Sequence, residues 1–305
     1  MQLNPTQRNI FDSLLSIGVD RPIMLAEELD KLHKHVEQSL KPILANWSSN
    51  DLWFNKSTLA TLNKCEGLIQ AQALVAQSDK INYSKQIVIG TISHYGIQLH
   101  YTHKNHSIET YIRSAIDHLS MDDAAFQRFW LDCNMVTQSE ILATATSRIA
   151  NFIDSFPPLE QSWTPRFEEG HVVKIGKLRL SARPDLTLGR PKADGKQTMF
   201  LIDFKSGSLN PEHENEAGFY ALVLSLKNHI APFRSLVFSL SENQFTKPDV
   251  TIESLEKSAD YLVNSVKKYV EIFTEKRLPV YTPGSHCTWC PVKETCELSS
   301  HSLKS

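Results

Sequence analysis

In the stretch Thr198 to Ser208, TMFLIDFKSGS, an apolar run ends in an aspartate and a lysine two residues apart. Side chains alternate along a strand, so Met199, Leu201, Asp203 and Lys205 share one face while Phe200, Ile202 and Phe204 share the other. An acid and an amine therefore point into the same space. Eighteen residues earlier, in SARPDLTLG, stands Asp185, a separation suited to adjacent strands of a hairpin. Two converging carboxylates can bind Mg²⁺ or Mn²⁺, hard cations that a few carboxylates, a backbone carbonyl such as that of Phe204, and waters will satisfy. A lysine on the same face can orient or deprotonate a metal-bound water and offset charge on a phosphate in the transition state. That is the chemistry of phosphodiester hydrolysis, although an isolated D-x-K is more often a solvated ion pair at a strand end.

The elements that must position these groups follow from hydrophobic spacing. The first half reads as helical: MLAEELDKLHKHVEQSLKPILANW is amphipathic, Ser57 can cap STLATLNKCEGLIQAQALVAQ, and KQIVIGTISHYGIQLHYT and MDDAAFQRFWLDCNMVTQSEILATATSRIANFID read as further helices. After Pro157 and Pro158 the pattern changes. HVVKIG, KLRLSARPDLTLG and TMFLIDFKSG read as strands, EHENEAGFYALVLSLKNH as a helix, FRSLVFSL as a strand and TIESLEKSADYLVNSVKKYVEIFTEK as a long helix. This order predicts an α/β or α+β core, a mixed central sheet flanked by helices behind a largely helical amino-terminal half.

The chain has 305 residues, 41% hydrophobic and 22% charged, with a formal net charge of −2. A polyanionic partner would therefore be held by a local patch or by metal ions. No apolar run reaches the length of a membrane span, and MQLNPTQRNIF lacks the layout of a signal peptide, so the expectation is a cytoplasmic protein. In that reducing compartment the five cysteines are metal ligands or buried thiols. Cys287, Cys290 and Cys296, in CTWCPVKETC, are one thiolate short of a zinc site or a [4Fe–4S] cluster. A distant residue must supply the fourth, and Cys65 and Cys133 are the candidates.

The combination ARPD, a turn, then LIDFKSGS and a helix resembles the PD-(D/E)XK nuclease superfamily, and other elements resemble its RecB-like, iron–sulfur exonuclease branch, which includes AddB-type and CRISPR-associated members. GTISH, Gly90 to His94, matches a G-x-x-x-H element, which implies that His94 is a further metal ligand with Asp185, Asp203 and the Phe204 carbonyl. EAGFY, Glu216 to Tyr220, aligns with a Q-x-x-x-Y element, and its carboxylate in place of the amide can bind metal or hold Lys205. In STLATLNKCEG, Ser57, Leu59, Leu62 and Cys65 follow S-x-L-x-x-Y-x-x-C-P, with Leu62 for the aromatic and Glu66 for the proline. The resemblance thus implies Cys65 as fourth ligand and favours [4Fe–4S], with Zn²⁺ the alternative.

It also implies a restriction-endonuclease-like fold and a metal-dependent deoxyribonuclease acting on ends or single strands in repair, recombination or defence, where a helicase or another repair or defence protein could be its partner. Asp185, Asp203, Lys205, Glu216 and Tyr220 are the expected catalytic set, and Arg183 a phosphate contact. The expected organisation is a helical extension over residues 1–50, the nuclease domain closed by four cysteines over 51–298, and a tail over 299–305. The alternative is a module that binds DNA or scaffolds a partner without turnover, for which Glu216 and the absence of a glycine in ARPD speak.

Overall fold

Polar caps set most of the helices in the first half. The structure, a computed structural model, describes residues 3–15, 21–74, 83–103, 106–192, 194–296 and 298. Helices α1 (Pro5–Leu15) and α2 (Ala26–Leu44) precede a short strand, β1 (Leu52–Asn55). The Asn55 side chain accepts from the Thr58 N–H and so starts α3 (Lys56–Lys64), two positions ahead of a Ser57-capped reading. Cys65 is extended (φ −160°, ψ 119°) and divides α3 from α4 (Glu66–Leu74), so the single helix expected there is two. Its expected continuation beyond Leu74 lies outside the described residues.

Ser84, Ser107, Asp123 and Asn134 cap α5 (Lys85–Thr102), α6 (Ile108–Asp122), α7 (Ala124–Asp132) and α8 (Met135–Ser155) in the same way. The long helix expected across Met121 to Asp154 is therefore α7 and α8, because Asp123 and Asn134 each restart the hydrogen-bond ladder. Helix α6 was not part of the sequence reading. Cys133 sits in extended conformation at the end of α7, rather than inside a helix.

The second half supplies β2 (Arg166–Phe167), β3 (His171–Ile175), β4 (Leu178–Ala182), β5 (Leu186–Leu188), β6 (Phe200–Lys205), α9 (Glu212–Asn228), β7 (Arg234–Ser239), β8 (Phe245–Thr246) and α10 (Ile252–Phe273). The fold is mixed α/β, consistent with a restriction-endonuclease-like architecture. In place of one central sheet, the described strands form two, in the orders β1-β4-β3 and β2-β5-β6-β7-β8. The split falls inside KLRLSARPDLTLG, where β4 ends at Ala182 and β5 begins at Leu186. Pro184 between them has no N–H to give a continuing ladder. Each sheet is mixed: β1 runs parallel to β4 and β6 parallel to β7, while the other pairs are antiparallel.

Strand β6 separates two cores, as its alternation demands. Leu201 joins Leu180, Leu222 and Leu262 on one side, where Leu32, Val36 and Leu40 of α2 also pack. Phe200, Ile202 and Phe204 join Ile92, Ile149, Phe152 and Phe238 on the other. The second helix of the amino-terminal segment is thus part of the first core. Both faces of β6 being apolar as far as Ile202, the acid and the amine can appear only at its carboxyl end.

Gly189, just past β5, has φ +76° and lies so close to Thr198 that a Cβ would come within 2.4 Å of its carbonyl oxygen. A side chain there meets both a left-handed backbone and a backbone wall. Gly189→Ala should lower the unfolding free energy by about 1–3 kcal/mol, measured by urea denaturation. An unchanged midpoint would show that the β5–β6 turn can yield.

Candidate metal centre and active site

Strand register brings three carboxylates to one edge. Leu186 pairs with Ile202 in the antiparallel β5–β6 ladder, so the residues beyond them, Asp185 and Asp203, face each other. Phe167 pairs with Leu186 in β2–β5, which places Glu168 beside Asp185, and the Glu168 N–H donates to the Asp185 carbonyl at 3.1 Å. Glu168 adopts φ +51°, uncommon for a residue with a side chain, as β2 ends. The Phe204 N–H donates to Asp185 Oδ2 at 2.5 Å, so the backbone of β6 fixes the carboxylate of β5.

Helix α5 adds an imidazole. Gly90 leaves it close enough to β6 that a Cβ would lie 3.3 Å from Ser206 Oγ, and one turn later His94 Nδ1 lies 3.3 Å from Asp185 Oδ1. The His94 ring stands edge-on to Phe204, with centroids 5.7 Å apart. Among the described residues, His94, Glu168 and Asp185 are the one group of three acidic, histidine or cysteine ligand atoms lying within 4.8 Å of one another.

The electrostatics of this trio suit a cation. Burial and the neighbouring Asp185, by charge and hydrogen bond, push the Glu168 carboxyl upward. Burial would raise Asp185 as well, but His94, Lys56 and the Phe204 amide outweigh it and hold the carboxyl low. Burial would lower His94, yet Asp185, Asp203 and Glu168 carry it above its ordinary value. His94 Nε2 is buried with no hydrogen-bond partner among the described residues. Two crowded carboxylates and an imidazole fit a divalent cation, which would relieve their repulsion.

Asp203, expected to bind metal, lies outside the trio. It is buried, with Oδ1 2.7 Å from Lys56 Nζ and Oδ2 2.7 Å from Lys205 Nζ. Lys205 also bonds the Glu216 carboxylate. Glu216 and Tyr220, four residues apart on α9, share a face. Glu216 Oε2 is 4.0 Å from Lys56 Nζ, and the Tyr220 ring underlies that ammonium at 4.9 Å. Burial would depress the Lys56 pKa, but Asp203, Tyr220 and Asp185 carry it well above the ordinary lysine value. Arg183 is exposed in the β4–β5 link and its charge bears on Glu168.

The sequence reading missed Glu168 and Lys56. Glu168 stands in RFEEG ahead of the hairpin, and only the β2–β5 pairing brings it to Asp185. Lys56 immediately precedes Ser57 in the cysteine-bearing segment, and β1 delivers it to the strand ends from the other sheet.

Cys65, Cys287, Cys290 and Cys296 line a single cavity with Leu68, Tyr281 and Pro283. Cys133 lies against the second core instead. Beside the cavity the Glu66 carboxylate takes two bonds from Arg277, at 2.7 and 3.0 Å, and one from the Val280 N–H at 2.8 Å. The Arg277 bond is the chief reason the Glu66 carboxyl sits below its ordinary range. Glu66→Ala should cost about 1–3 kcal/mol of stability, since it strips a buried acceptor from a half-buried arginine. That contribution is complete above the ordinary glutamate range and is lost as pH falls through the depressed folded value. Thermal melts of both proteins at neutral and acid pH would read it. Equal melting temperatures at neutral pH would refute the clasp.

No curated protein matches the chain. A solved structure titled "Crystal structure of SSO0001" is 11% identical, with a TM-score of 0.31, and the match covers 69% of this chain and 96% of that one. The model of one family, described as the PD-(D/E)XK nuclease superfamily, matches residues 54–297. That span runs from β1 past the last cysteine and takes in the strand-end carboxylates, both lysines and His94. The chain belongs to the PD-(D/E)XK nuclease superfamily.

Proposed function

We propose that the protein is a Mg²⁺- or Mn²⁺-dependent deoxyribonuclease directed at DNA ends or single strands. Membership of the superfamily suggests a metal-dependent nuclease. The observation that carries the reading further is the convergence of His94, Glu168 and Asp185 beside Asp203 and Lys205. His94, Glu168 and Asp185 would hold the cation, which when bound acidifies a water and stabilises charge developing on the scissile phosphate. Asp203 holds Lys205 at the mouth of the site, and Glu216 holds it from the other side, where its ammonium can orient the attacking water. Arg183, exposed nearby, can contact a flanking phosphate. A module that only binds DNA would have no need of this convergence.

The experiment incubates the purified protein with end-labelled single- and double-stranded DNA in Mg²⁺, Mn²⁺ or EDTA. Cleavage in metal and none in EDTA is the expected result; tight binding without cleavage in either metal would favour the binding module. Because Glu168 and His94 both hold protons more tightly than usual, the cation must displace them on entry. Mn²⁺ affinity should therefore rise with pH until both have reached their deprotonated, ligand forms, with proton release visible by calorimetry in two buffers. A pH-independent affinity would exclude these ligands.

The four-cysteine cavity we read as a [4Fe–4S] site. Cys65 shares it with the C-x2-C-x5-C trio, and Pro291 follows the second cysteine. A cluster there would join the α3–α4 break to the carboxyl-terminal segment and act structurally.

A further inference from the structure

We infer that the exposed face of the β1-β4-β3 sheet is a platform for single-stranded DNA leading to the site, with Trp53 stacking on a base and Lys174 and Arg183 holding phosphates. This rests on the nuclease reading and names the form of its substrate. One face of that sheet is dry, where Leu52, Phe54, Leu178 and Leu180 join the first core. Alternation turns the residues between them toward solvent. Register sets these in rows: Trp53 pairs with Arg179 and Arg179 with Lys174, while Asn55 pairs with Ser181 and Ser181 with Val172. Arg183, exposed just past the end of β4, continues the same face. The outward positions of a sheet with one wet face are ordinarily polar, yet Trp53 is 56% exposed there. An indole so placed offers a flat stacking partner to a base, and because every base has a π-face the contact accepts any sequence.

Charge and position both point to a polyanion. Arg179 is tied to Asp51 at 2.7 Å, which leaves that pair neutral. Lys174 and Arg183 have no ion pair among the described residues, so the face is locally positive in a chain whose formal net charge is −2. The face also runs into the site. Because β1 and β4 are parallel, their carboxyl ends reach the same edge: β4 continues through Arg183 to Asp185, and β1 into Lys56 beside Asp203. Trp53 lies three residues of strand from Lys56, roughly 10 Å at about 3.3 Å per residue, or about three nucleotides of a stacked strand at roughly 3.4 Å each. A base on Trp53 therefore belongs to the segment that flanks the scissile phosphate. Duplex DNA keeps its bases stacked and paired, out of reach of the indole, so the platform selects single strands and frayed ends.

The test follows tryptophan fluorescence as oligo(dT), a single strand, is added to the protein in EDTA. Wild type should bind with quenching. Trp53→Ala should bind about tenfold more weakly, and Trp53→Phe, which keeps a ring, should bind within a few-fold of wild type but lose most of the quench. Lys174→Gln should lower the slope of log affinity against log salt by about 0.7, the share of one phosphate contact to a single strand. In Mg²⁺ or Mn²⁺, Trp53→Ala should raise KM for single-stranded DNA about tenfold at unchanged kcat; circular dichroism verifies that each variant is folded. Wild-type affinity in Trp53→Ala, or full quenching in Trp53→Phe, overturns the inference while leaving the nuclease reading standing. So does a wild-type dimer that Trp53→Ala dissolves, since a second copy would then cover the face. Binding that depends on Trp53 without cleavage in either metal supports the platform and sinks the nuclease reading. A wild type that neither binds nor cuts DNA removes both.

Discussion

Asp185→Asn is expected to remove Mn²⁺ binding at the trio and to slow metal-dependent DNA cleavage by about a thousandfold or more, roughly 4 kcal/mol of transition-state stabilisation. Asp185 is the hub of the site. It faces His94 Nδ1, takes the Phe204 amide hydrogen bond, and lies beside Glu168 and opposite Asp203. Asparagine keeps a side-chain oxygen to accept from Phe204, so the β5–β6 hairpin should remain folded while the negative charge is lost. Arg183→Gln offers a contrast: with Arg183 in the proposed role of an exposed phosphate contact, the substitution should change cleavage only several-fold and chiefly through substrate affinity. Wild-type cleavage by Asp185→Asn would sink the proposed role of this edge.

The second large effect concerns the cysteines. Cys65→Ser is expected to abolish the visible absorption of anaerobically purified protein and to lower its melting temperature by about ten degrees, since structural metal sites contribute on the order of 10 kcal/mol of binding free energy. Cys133→Ser, altering a thiol that packs on the other core, should leave the colour intact. The loosening should be local. Arg277 and Val280 are tied to Glu66 independently of any metal, so hydrogen exchange should accelerate after about residue 280 and not before it. A colourless wild-type protein loaded with zinc would replace the iron–sulfur proposal with a four-cysteine zinc site and leave the nuclease reading untouched.

Which parts of this protein were legible in its sequence follows from the range of the forces involved. Strand β6 was readable because alternation is a local rule: Leu201 against Phe200, Ile202 and Phe204 assigned two buried faces and left Asp203 and Lys205 together at the end. Helices α2 and α10 were readable from amphipathic spacing, whereas α5 and α9, also read as helices, bury residues on nearly every side. The broken ones were not read correctly. Cys65 interrupts α3–α4, and Asp123 and Asn134 restart the ladder in stretches whose hydrophobic pattern continues without a gap.

By itself the sequence determined the local identities: an acid and an amine on one face of a strand, a histidine one turn from a glycine, and three cysteines one short of a set. Tertiary structure alone decided their company. Glu168 reaches Asp185 through the β2–β5 register, and Lys56 reaches Asp203 across 147 residues of sequence from a strand in the other sheet. Pairing partners and charge neutrality within a buried site are properties of the assembled sheets, and the same lysine in an unpaired segment would be only a solvated charge.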